Sequence, residues 1–137
     1  MNQHIYLRAY MAGIVVPTVF LLVVAAVFTM LRYVFDVPVP IERVIVFPMA
    51  VVPNAWGLWN ILFIALRTRW QLSIGLHGAL LPILLAPLGM VVASLLNFPI
   101  PRFAVHAFPI AAPVALIVYY LAWKYLVGFL NRALKLA

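Results

Sequence analysis

Four long apolar runs dominate this chain, and none of them contains a charged residue. A helix that crosses a bilayer needs about 20 predominantly apolar residues, and each run meets that length. Backbone polar groups must be satisfied within the segment in hydrocarbon, so helices are the expected form. The sequence therefore predicts an all-α membrane protein with four transmembrane helices. The runs are Ala9–Leu31, Val44–Leu66, Trp70–Pro101 and Phe103–Trp123.

Composition excludes a soluble alternative. The chain is 69% hydrophobic and 8% charged, whereas soluble domains carry about 25% charged residues. We expect one domain, 1–137, with helices at about 10–34, 43–66, 72–96 and 102–129. The predicted architecture is an up-down-up-down bundle with short stiff corners. Prolines inside the spans predict kinked helices, because each removes a backbone hydrogen bond. The first helix is expected to be a permanent anchor, not a cleaved signal peptide.

Two proline-rich corners resemble each other at an offset of 61 residues. Each has Pro-x-Pro, an apolar run and then Phe-Pro, and similarity outside these windows is slight. Proline fixes φ, so stiff turns are expected. A gene duplication and convergence on the same corner chemistry both remain open. The copies are Asp36–Pro53 and Asn97–Pro113.

Charge distribution predicts the orientation. The formal net charge is +7, but the basic residues form no patch of the kind that binds nucleic acid. They lie at the ends of the apolar runs, and one side carries six of them without an acid. By the positive-inside rule both termini are cytoplasmic, in what we expect to be a bacterial inner membrane. These six are Arg8, Arg67, Arg69, Lys124, Arg132 and Lys135.

Helix 2 carries the most unusual polar residues, in the segment PNAWGLWN. Asn54, Trp56 and Asn60 lie near the predicted bilayer centre, where amides must find partners. Two interpretations stay open. The residues form a midplane ligand or partner contact beside the prolines, as in broken transporter helices, or the amides bind helix 2 to its neighbours.

Two further sets of residues are candidates. A polar cluster on the outer face would join the two corners, with mutual charge pairing as the plainer alternative. Small residues at helical spacing on helices 3 and 4 predict close packing between them. The outer cluster is Arg32, Asp36, Glu42, Arg43, Arg102 and His106; the packing residues are Gly75, Ala79, Ala86, Ala93, Ala104, Ala111, Ala115 and Ala122.

No enzyme is indicated. The sequence has no catalytic motif, no cysteine and two carboxylates, which lie in one corner, so we predict no catalytic residue, metal or other cofactor. The expected function is a non-catalytic accessory or structural subunit, or a scaffold, of a larger membrane complex. A small homo-oligomeric transporter or channel is the alternative, although no acidic residue lies inside a span. Expected partners are the lipid bilayer and other membrane proteins or further copies of the chain, and not nucleic acid.

Overall fold

The computed structural model describes residues 3–39, 41, 47–100 and 102–136, and no β-strand occurs in these ranges. Four stretches are long and apolar enough to cross a membrane, namely Ile5–Tyr33, Pro48–Trp70, Ile74–Leu95 and Arg102–Ala133. The predicted all-α membrane fold with four spanning helices is confirmed. The helices are α1 (Ile5–Tyr33), α2 (Phe47–Trp70), α3 (Ile74–Leu95) and α4 (Arg102–Leu121), which a π-helical segment (Ala122–Val127) and α5 (Gly128–Ala133) continue.

Several helix boundaries differ from the prediction. α1 begins five residues earlier than the predicted 10, and α2 continues past its predicted end at 66 to Trp70. Arginine is a good helix former and its side chain can reach polar surroundings from a helix end. A charge therefore marks the edge of the hydrocarbon and not the end of the helix. The predicted start of helix 2 at Arg43 lies outside the described residues.

α3 and α5 are each followed by a left-handed residue that is not glycine. Asn97 follows α3 with φ 52°, and Lys135 follows α5 with φ 54°. After α3, the N–H of Phe98 donates to the carbonyl of Ala93 at 2.8 Å and that of Asn97 to Ser94 at 3.2 Å. This is the Schellman arrangement, which satisfies carbonyls left over at a helix end. Corresponding bonds run from Leu136 to Asn131 and from Lys135 to Arg132, at 2.8 and 3.0 Å.

Serine and proline set the remaining connections. Ser73 caps α3, because its hydroxyl accepts a bond from the N–H of Leu76 at 3.3 Å. In the first corner, the N–H of Val39 donates to the carbonyl of Val37 across Pro38 at 2.9 Å, which closes a three-residue turn. Pro40 and Pro101, which belong to the repeated motif, lie outside the described residues. Kinks stay predictions at the prolines inside helices, which are Pro17, Pro53, Pro82, Pro87, Pro109 and Pro113.

The chain divides into two compact units, and each has its own packing. The first unit is Met1–Arg69 together with Leu130–Ala137. It contains α1, α2 as far as Arg69, and the segment Leu130–Ala137, which is called the C-terminal turn. The second is Trp70–Phe129, which contains α3, α4 and the π-helical segment. In the second unit a short connection joins α3 and α4, so these helices form an antiparallel hairpin. The single domain 1–137 stays a prediction.

Candidate functional site

In the first unit, α1 and α2 cross in backbone contact. A Cβ atom on Gly13 would lie 2.6 Å from the carbonyl oxygen of Trp56 and 2.8 Å from the Cα of Gly57. A Cβ on Gly57 would lie 2.5 Å from the ring of Tyr10. Only glycine allows such an approach, and membrane helices gain van der Waals energy from it. The crossing is antiparallel, because residues later in α1 meet residues earlier in α2.

The crossing places Asn60 of α2 against the C-terminal turn, where it pairs with Asn131. The amide nitrogen of Asn60 donates to the side-chain oxygen of Asn131 at 2.8 Å, and that of Asn131 donates back at 3.0 Å. The nitrogen of Asn60 also donates to the carbonyl oxygen of Ala9 at 2.7 Å. Both side chains are 0% exposed. Asn60 thereby uses both of its N–H donors, and three segments of the chain meet at one amide.

Two arginines hold the C-terminal turn from the side. Arg8 of α1 donates to the carbonyl oxygen of Leu134 at 3.2 Å, and Arg67 of α2 donates to that of Leu136. The last carbonyls of a helix lack partners and carry partial negative charge, so a guanidinium is the favoured neighbour. The Leu136 side chain is buried as well. The residues after α5 are therefore part of the core of the first unit.

Asn54 lies on a different side of α2. Its side-chain oxygen accepts a bond from the hydroxyl of Tyr10, and its nitrogen donates to the carbonyl of Ala50 at 2.6 Å. The side chain is exposed, whereas Trp56 is buried, and the backbone of Trp56 meets Gly13 of α1. Of the three predicted midplane residues, Trp56 and Asn60 share the interior of the unit and Asn54 faces outward.

The second unit is built around aromatic side chains on small residues of α3. A Cβ on Gly75 would lie 2.7 Å from the ring of Tyr120, and one on Gly78 would collide with the ring of Trp123. His77, also buried, meets Trp123 edge to face, with ring centroids 5.9 Å apart. Trp123 belongs to the π-helical segment, a rare form that is frequent at functional sites. The indole of this segment lies directly over Gly78 of α3.

The predicted packing residues differ in their surroundings. Gly75 is buried against Tyr120, whereas the alanines are partly or fully exposed. The close approach of α3 and α4 therefore occurs at glycines opposite aromatic rings. The half-buried members are Ala79, Ala93, Ala104, Ala115 and Ala122, and the exposed ones are Ala86 and Ala111.

The predicted outer cluster is described in part. At the end of α1, the Arg32 guanidinium lies 5.6 Å from the centre of the Tyr33 ring, and Asp36 is exposed with φ 53°. At the start of α4, the Nδ1 of His106 lies 2.9 Å from the carbonyl oxygen of Arg102, to which it donates. The cluster as a whole stays a prediction, and its members Glu42 and Arg43 lie outside the described residues.

Sequence reasoning missed Asn131, Tyr10 and Gly13. Asn131 lies beyond the predicted end of helix 4 at about 129, yet it is the partner of the central amide of α2. The sequence did contain a signal. An asparagine inside a span needs a hydrogen-bonding partner, and Asn131 is another asparagine, in α5.

The buried polar pair of the first unit consists of two asparagine amides. An asparagine amide neither titrates nor attacks, so the Asn60–Asn131 pair offers hydrogen bonds but no acid or base. Within the described ranges, no three His, Cys, Asp or Glu residues are grouped so that they could hold a metal ion. Comparisons with protein-family models, with curated proteins and with solved structures found no significant match to this chain.

Proposed function

We propose that this protein is a non-catalytic accessory or structural subunit, or a scaffold, of a larger membrane complex. We further propose that it resides in a bacterial inner membrane with both termini in the cytoplasm. The orientation is supported by the six acid-free basic residues at one set of helix ends. Its role is to present helix faces to partner proteins, with no catalytic step and no cofactor.

The observation that carries this proposal is the use of the amides. Asn60 lies near the middle of the span Pro48–Trp70, where a transporter of this size would place its solute site. Both of its donors are already bound to Asn131 and Ala9, and the side chain has no exposed surface. A solute could reach this amide only after the first unit had opened. The amide therefore supports a structural role over a binding role.

A surface for partners is provided by α4. None of the residues Arg102–Leu121 is buried, and large apolar side chains such as Phe103 and Ile110 are each 74% exposed. Alanines and prolines lie between these large side chains along α4, so the helix surface has grooves beside its ridges. Membrane helices associate by van der Waals packing of such surfaces, so α4 is the face that we assign to a partner subunit.

The test is purification of a tagged chain from its native membrane in mild detergent, followed by native sizing and identification of the proteins that co-migrate. We expect a foreign membrane protein in stoichiometric amount. Substitution of Phe103 and Ile110 by alanine should release that protein, whereas the matched pair Phe20→Ala and Val23→Ala on α1, also exposed, should not.

The opposite outcome is equally defined. A preparation that contains only this chain, and that transports a solute in proteoliposomes in a manner abolished by Asn54 or Trp56 substitutions, would refute the subunit proposal. The chain would then be a small transporter or channel.

A further inference from the structure

We infer that two copies of this chain associate through α2, with Asn54 of one copy hydrogen-bonded to Asn54 of the other. This inference goes beyond the subunit proposal and does not depend on it, because a dimer can exist with or without a foreign partner. It starts from a polar side chain that faces outward within a membrane-spanning helix.

Asn54 is well inside the hydrocarbon region. It lies six residues after Pro48, where the apolar span Pro48–Trp70 begins, which corresponds to about 9 Å along a helix at about 1.5 Å per residue. The side chain is nevertheless exposed. Exposed amides are unfavourable in lipid, since hydrocarbon offers no hydrogen-bonding partner.

The bonds inside the chain leave half of the amide unused. An asparagine side chain has two N–H donors and an oxygen with two lone pairs. One donor is bound to the Ala50 carbonyl and one lone pair to the Tyr10 hydroxyl. Among the described residues, no other hydrogen-bonding partner of Asn54 occurs. One donor and one lone pair of the same exposed group therefore remain unused.

A group with one free donor and one free acceptor is complementary to itself. When two copies are related by a two-fold axis along the membrane normal, the same residue of each faces its counterpart at equal depth. Two amides can then exchange bonds reciprocally. The protein already contains this arrangement, because Asn60 and Asn131 exchange two bonds of 2.8 and 3.0 Å. A second copy supplies for Asn54 what Asn131 supplies for Asn60.

The rest of the exposed face of α2 permits the approach. Ala50, Asn54, Leu58 and Ala65 are all exposed, and their spacings of four, four and seven residues place them on one stripe of the helix. The alanines allow two helices to come close, and interhelical amide bonds then add to the packing. Leu58, one turn from Asn54 and 61% exposed, would lie beside the two-fold axis.

The absence of cysteine from the chain makes a direct test possible. A Leu58→Cys protein in its native membrane should form a disulfide-linked dimer when copper-phenanthroline is added as oxidant. The matched control is Leu84→Cys on α3, whose leucine is 52% exposed near the middle of its own span, and it should remain monomeric. The product is identified by its mass as two copies of this chain.

Two variants separate association from folding. Asn54→Leu, introduced beside Leu58→Cys, should weaken the dimer about tenfold, the change expected when one to two membrane hydrogen bonds are lost. Tyr10→Phe removes the hydroxyl that donates to Asn54 inside the chain, and this variant should leave the dimer intact. A merely structural role of Asn54 would make both variants equally harmful.

The inference is overturned by any of four results. They are no disulfide-linked dimer of Leu58→Cys, equal cross-linking of Leu84→Cys, a cross-linked dimer that Asn54→Leu does not weaken, and a dimer that Tyr10→Phe weakens as much as Asn54→Leu does. Failure here leaves the subunit proposal standing, because that proposal is tested by foreign proteins that co-migrate with the chain.

Discussion

Replacement of Asn60 by leucine tests whether the buried amide pair holds the first unit together. The change keeps the branched shape of the side chain but removes three hydrogen bonds, to Ala9 and, in both directions, to Asn131. Side-chain hydrogen bonds in membranes contribute about 0.6 kcal/mol on average and at most about 1.7. The three bonds together predict a loss of about 2–5 kcal/mol in the free energy of unfolding.

The double variant Asn60→Leu/Asn131→Leu should be far less harmful than the sum of the two single changes. In each single variant one amide stays buried without its partner, and that costs about 1–3 kcal/mol. Replacement of both amides by apolar groups removes this penalty. We therefore expect a coupling energy of about 1–3 kcal/mol, since the two residues are in direct contact.

The assay is equilibrium unfolding in mixed detergent micelles with increasing SDS, followed by far-ultraviolet circular dichroism. Thr29→Val is the matched control. It also removes a hydrogen bond from a spanning helix, but that bond is local, from the Thr29 hydroxyl to the carbonyl of Ala25 at 2.8 Å. The reasoning is refuted if Asn60→Leu costs less than about 0.5 kcal/mol, or if the two single changes add within that margin.

Three further changes test the packing and the helix ends in the same assay. Gly13→Ala should lower the free energy of unfolding by about 1–3 kcal/mol, because its Cβ would meet the backbone of α2. Its control, Gly89→Ala, has no atom within 4 Å of the new carbon and should be neutral or slightly stabilising. Equal losses of stability in the two variants would contradict the close crossing of α1 and α2. Gly78→Ala should destabilise the second unit by a similar amount because its Cβ would collide with Trp123, and an unchanged tryptophan emission spectrum together with unchanged stability would show that the contact is absent. Gln71→Gly should stabilise the protein by about 0.5–1 kcal/mol, since Gln71 has φ 46°; a loss of stability would disprove a left-handed conformation there.

The sequence was sufficient for the number and type of the spanning helices. Length and the absence of charge decide whether a run can cross a bilayer, and both are read without any knowledge of tertiary contacts. The ends were harder to predict. Arg67 and Arg69 lie beyond the predicted end of helix 2 at about 66, yet α2 includes both, because a charged side chain at the membrane surface does not oblige the backbone to leave the helix.

Contacts between residues far apart in the sequence could not be predicted in the same way. The expectation that Asn60 needs a hydrogen-bonding partner is local chemistry, but the choice of Asn131 depends on how the C-terminal turn returns to α1 and α2. The π-helical segment has no composition that distinguishes it from an α-helix, and so the position of Trp123 over Gly78 was inaccessible from the sequence. Long-range contacts of this kind are properties of the packed molecule.

The pairing of Asn60 with Asn131 also has a consequence for the order of events during synthesis. The two residues are separated by 71 positions in the chain, so α1 and α2 are made well before their partner. At translation rates of roughly 5–20 residues per second, the delay is about 4–14 s. Throughout that interval the amide of Asn60 lies in a newly inserted hairpin that has no Asn131 to bind. A nascent membrane protein of this design has a period in which an insertion factor or chaperone with a hydrogen-bonding side chain could occupy the vacant position, and synthesis of the segment Leu130–Ala137, which carries Asn131, would then release it.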